Sequence, residues 1–180
     1  PSVAVGGSLS GAIEDTDFAI SYAQLISHLN AVDVDADPIR LSIEQVLSGT
    51  LKVNGAAWSN SNKILSSGQS LTWRPALNQN GQVAAFSVAA LDAVSQSNTV
   101  SVSVSVQAVN DAPIADPLRL TIDNVEGLIQ VGSLSGSDPE GTPISFRILG
   151  NRTDITLQDS ASGSFQYRVV STGSLSDSFT

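Results

Sequence analysis

Five consecutive residues, Asp33-Val34-Asp35-Ala36-Asp37, hold the densest potential chemistry in the chain. Three carboxylates at alternate positions offer hard oxygen donors, and Ca2+ gathers about six to eight oxygens at ~2.3–2.6 Å. The nearest base in sequence is Arg40. The three acids therefore repel one another unless a cation or water screens them. On these residues alone two readings stay open, a hard-cation site and a solvated acidic loop. The run lacks the Gly and terminal Glu of an EF-hand loop, which excludes that particular site.

Three further groups of acids accompany it. Asp138-Pro139-Glu140-Gly141 is an ordinary turn sequence on its own. It follows Asn110-Asp111 and stands where the Asp33–Asp37 run would recur in a second unit. Glu14-Asp15-Thr16-Asp17 lies near the start. Asp92, in Ala90-Leu91-Asp92-Ala93, ends a strand-like segment where a loop acid could join a metal site.

Other chemistries have little to draw on. There is no Cys, which removes disulfides, thiolate sites and Cys nucleophiles, and the only His is His28, so no two-His zinc site can form. No Gly-x-Ser-x-Gly elbow occurs and no phosphate-loop Lys follows a Gly pair. Trp58 is the candidate for stacking on a sugar ring, whereas Trp73 sits on an alternating segment and reads as core. Acid pairs also serve glycosidases, but here they cluster in loops with few aromatics to line a sugar site.

Composition narrows the classes further. The 180 residues allow one or two domains, with 17 acids against 8 bases and a net charge of −9. The bases are scattered, which argues against a nucleic-acid partner. Hydrophobic residues make up 41%, too many for a disordered acidic tail. No apolar run approaches the ~20 residues of a membrane span, so no membrane insertion is expected. No leader pattern opens the chain, which reads as an internal or processed segment.

The elements that must position these acids are strands. Thr99–Val106 alternates hydroxyl and Val without a break, as a strand with one buried face does. Segments 40–46 and 69–74 alternate as well, and 82–89 reads as the strand preceding Thr99–Val106; turn clusters such as Asn54-Gly55, Ser67-Gly68 and Asn80-Gly81 separate them. Tyr22, Leu25, Ile26 and Leu29 have helical spacing, which predicts a short helix near 20–29. The second half predicts strands around 118–122, 144–149, 155–157 and 164–170.

The two halves share landmarks. Pro113 follows Pro1 by 112 residues, and Pro143-Ile144 follows Pro38-Ile39 by 105. The difference of seven fits a helical insertion present only in the first half. Gly7-Ser8-Leu9-Ser10-Gly11 recurs at 132–136, an offset of 125 that fits neither register, and reads as coincidence. The division falls near 112, giving a first unit over 1–112 and a shorter second unit over 113–180.

Taken together, these motifs resemble cadherin-like and Ig-like tandem repeats of large bacterial surface proteins of the adhesin and RTX type. The resemblance rests on Glu14-Asp15-Thr16, Asp33-x-Asp35-x-Asp37, Gly49-Thr50-Leu51, Leu71-Thr72-Trp73, Phe86-x-Val88-x-Ala90-x-Asp92 and Val109-Asn110-Asp111-Ala112-Pro113. In the second unit it rests on Asp138-Pro139-Glu140-Gly141, Gly163-Ser164-Phe165-x-Tyr167 and Asp177-Ser178-Phe179. It implies an all-β protein of two end-to-end Greek-key β-sandwiches, the second truncated, with Ca2+ at the junctions. By position, Glu14, Asn110 and Asp111 would meet Asp138 and Glu140 at the junction. Asp33, Asp35, Asp37 and Asp92 would form the pole of the first unit that faces a preceding repeat. The Asp-Arg-Glu element of cadherins is absent from the first unit. The implied protein is a non-enzymatic extracellular spacer whose partners are neighbouring repeats and a cell-surface glycan or protein. The competing expectation is a calcium-independent adhesion module that binds carbohydrate or protein.

Overall fold

The computed structural model describes residues 1–5, 7–121, 125–149 and 154–169. The Asp177-Ser178-Phe179 motif lies outside them. The chain divides into two compact units, Pro1–Val109 and Asn110–Thr180, so the boundary falls at 109/110 rather than after 112.

In the first unit the strands are β1 (Ser8–Ile13), β2 (Phe18–Ser21), β3 (Arg40–Val46), β4 (Thr50–Val53), β5 (Ala56–Ala57), β6 (Ile64–Leu65), β7 (Ser70–Arg74), β8 (Gly81–Leu91) and β9 (Val100–Gln107). They form two sheets, in the orders β1-β9-β8-β3-β6 and β2-β7-β4-β5. Every pairing is antiparallel except β1 with β9. Alternation dictates the faces. Val102, Val104 and Val106 of β9 are buried, while on the opposite face Ser101 and Ser105 are exposed and Ser103 is half-buried. Those valines share one core with Leu71 and Trp73 of the other sheet and with Ile20, Leu41, Ile43 and Phe86. Trp73 is fully buried, and its Nε1 donates to the Ser48 carbonyl at 2.8 Å, so the large ring leaves no polar atom unpaired.

Helix α1 (Tyr22–His28) interrupts the strand pattern. A capping box starts it. The Gln24 N–H donates to Ser21 Oγ, and the Ser21 N–H donates back to Gln24 Oε1. Leu25 and the C-cap Leu29 are both fully buried, which fastens α1 to the core.

In the second unit the strands are β10 (Ile114–Ala115), β11 (Ile129–Ser133), β12 (Gly136–Ser137), β13 (Ile155–Asp159) and β14 (Ser164–Arg168). They form a sheet in the order β11-β14-β13 and a β10-β12 pair. Phe165, Tyr167 and Val169 make a small core of their own, with Leu118, Leu120, Leu128, Leu134, Ile155 and Leu157 against it.

The registers show that one sheet is repeated. In the first unit Ile20 pairs with Leu71 and Phe18 with Trp73. In the second, Gly132 pairs with Phe165 and Gln130 with Tyr167. The β2 and β11 partners are thus 112 residues apart. The Phe165 ring fills the place that the Ile20 side chain takes in the first unit. A Cβ on Gly132 would lie 2.6 Å from Phe165 Cζ. Between this register and the Pro-Ile pair, offset by 105, the first unit contains the seven residues of α1. The Gly7–Gly11 and Gly132–Gly136 stretches are not equivalent, since the first enters β1 and the second runs from β11 into β12.

Two expected strands differ. Residues 144–149 are not a strand, although Ile144, Phe146 and Ile148 alternate as β3 does. A strand needs a neighbour for its N–H and C=O groups. Among the described residues the Phe146 N–H donates to the Ser160 carbonyl at 2.9 Å, without a continuing ladder on either side. Residues 118–121 likewise carry no strand.

Candidate metal centre

The antiparallel pairing of β3 with β8 brings Arg40 opposite Leu91. The loops before β3 and after β8 therefore meet at one pole of the first unit. Asp33, Asp37 and Asp92 each turn a carboxylate oxygen inward, and the three oxygens lie within 4.8 Å of one another. Asp33 and Asp92 are half-buried, and Asp37 is exposed. Asp35 is exposed and stands outside this group.

A tight loop explains the selection. Asp33 Oδ1 accepts the N–H groups of Asp35 at 3.0 Å and Asp37 at 3.1 Å, and Ala36 takes a left-handed φ of +63°. The chain turns instead of running extended, so alternate residues no longer share a face. Asp92 is fixed in a similar way. Its Oδ1 accepts the N–H groups of Val94 at 2.7 Å and Ser95 at 2.6 Å, and its Oδ2 accepts the Ser95 hydroxyl at 2.9 Å. Arg40 Nη2 donates to the Asp92 carbonyl at 3.1 Å, joining the loop to β3.

The charges follow from these bonds. Hydrogen bonds from the Ser95 and Val94 N–H groups, then from the Ser95 hydroxyl, hold the Asp92 carboxyl down to about 2. The Asp33 carboxyl is lowered first by the Pro1 ammonium and next by the Asp37 N–H. That ammonium is 3.0 Å from Asp33 Oδ2 and 3.7 Å from Asp92 Oδ2, and its own pKa is raised by the Asp33 carboxylate. A positive group thus sits against two of the three acids. A proline nitrogen joined to a preceding residue is a tertiary amide, with neither charge nor hydrogen, and would leave the acids to another cation. Ser95 follows Asp92 by three residues, so its part in this pole is local, and the Asp-x-x-Ser turn pattern is the signal that could have marked it.

The second unit repeats the loop. Asp138 Oδ1 accepts the N–H groups of Glu140 and Thr142, both at 3.1 Å, and Gly141 takes φ +73°. Asp138, Glu140 and Gly141 stand 105 residues after Asp33, Asp35 and Ala36. Here the middle acid is engaged: Glu140 Oε2 accepts the Asp111 N–H at 2.9 Å. Glu140 Oε1 is shielded from solvent and has no hydrogen-bond partner. An oxygen in that state suits a hard cation. Asn110 Nδ2 donates to the Asp111 carbonyl at 3.0 Å.

Glu14 belongs to the first unit and is only 2% exposed. Its Oε1 accepts the Val109 N–H, and its Oε2 accepts Asn80 Nδ2 at 3.1 Å. Trp58 is half-buried against the main core, and its Nε1 donates to the Ile43 carbonyl at 3.1 Å. Its polar atom is already engaged within the unit.

Two facing sheets, one parallel β1–β9 pairing and an all-β content define an Ig-like β-sandwich. The chain belongs to the bacterial Ig domain family, whose model matches residues 1–105. Members of that family are typically non-catalytic and are commonly extracellular or surface-exposed. No curated protein matches the chain. Among solved structures it is similar to an endo-fucoidan hydrolase from glycoside hydrolase family 107, at 14% identity and a TM-score of 0.38. That likeness covers 94% of this chain but 24% of the hydrolase, so the chain spans about a quarter of that protein's length. No helix among the described residues is long and apolar enough to cross a membrane.

Proposed function

We propose that the chain is a non-enzymatic spacer segment of a bacterial surface protein of the adhesin type, stiffened by calcium where repeats join. The observation that carries the reading is the recurrence of one acid-bearing loop in both units. Asp33 and Asp138 accept the same pair of backbone N–H groups, two and four residues on. A loop kept in two units of different size points to a shared task at the same end of each.

The donors are all hard oxygens, which suits Ca2+ and not a soft metal. In the first unit Asp33, Asp37 and Asp92 would hold the ion, with water or residues of a preceding repeat completing its shell. Asp35, exposed in the loop, is available as a further carboxylate. Where the units join, Glu14, Asn110, Asp111, Asp138 and Glu140 would serve. Calcium supplies charge neutralisation and bridging. The acids repel without it and become cross-linked with it, so the linker stiffens. A stiff array holds a distal domain away from the cell, which fits an extracellular location and partners that are neighbouring repeats and a surface glycan or protein.

Small-angle scattering with and without Ca2+, paired with calorimetric titration, tests this. Calcium should bind and raise the maximum dimension, and Asp111→Ala should weaken both effects. Binding with an unchanged scattering profile would refute stiffening while leaving the ion sites. No heat of binding would refute both.

A further inference from the structure

The first unit contains two Asn-Gly pairs, Asn54-Gly55 between β4 and β5 and Asn80-Gly81 at the start of β8. In such a pair the Gly backbone nitrogen attacks the Asn side-chain carbonyl carbon. A new C–N bond forms, the bond to the side-chain nitrogen breaks and ammonia leaves. Water then opens the cyclic imide to aspartate or its β-linked isomer. Gly hinders that closure least because it has no Cβ. Both asparagines are exposed, and nothing lies within 4 Å of where a Cβ would stand on Gly55 or Gly81.

The two amides do opposite jobs. Asn54 Oδ1 accepts the Ser70 N–H at 3.2 Å, a role that a carboxylate fills equally well. Asn80 Nδ2 donates to Glu14 Oε2 at 3.1 Å. An ionised carboxylate only accepts, so the partner of Glu14 must present a donor. Glu14 is buried, and its other oxygen accepts the Val109 N–H, at the start of the segment that follows β9. Conversion of Asn80 removes the donor and sets a second carboxylate against a buried one.

We propose that Asn80-Gly81 is a spontaneous deamidation site whose conversion loosens the end of the unit held by Glu14, while the same change at Asn54-Gly55 is silent. The modification needs only water and leaves ammonia. It is independent of whether calcium binds.

The test ages the 180-residue chain in chelator at mildly alkaline pH and maps acid formation at 54 and 80 by peptide mass spectrometry. N54D, N80D, E14Q and the double variant E14Q/N80D are then melted in chelator. Both sites should gain acid. N54D should melt like the parent, and N80D should melt about 4–8 °C lower. In the E14Q background the cost of N80D should vanish, since the amide now at position 14 supplies the missing donor. If N80D fails to fold, folding of the double variant carries the same conclusion. An Asn80 that stays intact while Asn54 converts would overturn the proposal. So would an N80D as stable as the parent, or a loss that E14Q does not relieve.

Discussion

Ala36 and Gly141 occupy the same position in two copies of one loop, 105 residues apart, and both are left-handed, at φ +63° and +73°. In each loop the residue closes a turn onto its Asp, from the Ala36 N–H to the Asp33 carbonyl at 3.4 Å and from the Gly141 N–H to the Asp138 carbonyl at 3.0 Å. Glycine adopts this conformation freely, whereas alanine pays for its Cβ.

Ala36→Gly should therefore stabilise the first unit by about 1 kcal/mol and raise its unfolding midpoint by roughly 4–8 °C. Differential scanning calorimetry reads this directly. A lower midpoint would mean that the loop is not strained at Ala36.

Gly132→Ala should damage the second unit without touching the first. Its new Cβ meets the buried Phe165 ring, and overpacking of this kind costs ~1–3 kcal/mol. Amide exchange at Gln166 and Tyr167 on β14 should accelerate, while exchange in β9 stays as in the parent. Parent-like exchange on β14 would contradict the packing described for that strand.

Two separate windows of pH dependence follow from the shifted groups. Asp92 titrates at about 2 when folded against 3.8 ordinarily, so the unfolded chain binds the proton first. Its stabilising share is complete above about pH 4 and is lost as pH falls towards about 2. Asp92→Asn should flatten this acid limb. The His28 imidazole is lowered from 6.5 by burial, and its Nε2 is shielded without a hydrogen-bond partner. The unfolded chain again takes the proton first, so stability falls as pH drops below about 6.5. His28→Phe should remove that slope. Melting curves across both windows check the two variants, and parallel curves for parent and variant would contradict the assignment.

Much of the first unit was legible because strict alternation fixes a strand's faces. β3 and β9 lie where the Arg40–Val46 and Thr99–Val106 patterns put them. The helix was legible from the spacing of Tyr22, Leu25, Ile26 and Leu29. Alternation does not reveal a partner, however, and residues 144–149 alternate without forming a strand. The acid pole was legible in part. Alternate spacing suggested that Asp33, Asp35 and Asp37 act together, but the turn at Ala36 brings Asp37 to Asp33 and leaves Asp35 outside. The bond between Glu14 and Asn80, 66 residues apart in sequence, has no local signal at all.

The central claim is that calcium binds the folded acid loops and stabilises them. Thermal unfolding in excess Ca2+, in Mg2+ and in chelator tests it most directly. A ligand that binds only the folded state adds ~2.7 kcal/mol at a hundredfold excess over Kd. The midpoint should rise by about 5–15 °C in Ca2+ but not in Mg2+, and Asp33→Asn should reduce the rise. Equal midpoints in Ca2+ and chelator would contradict the claim and leave the acids as solvated loops.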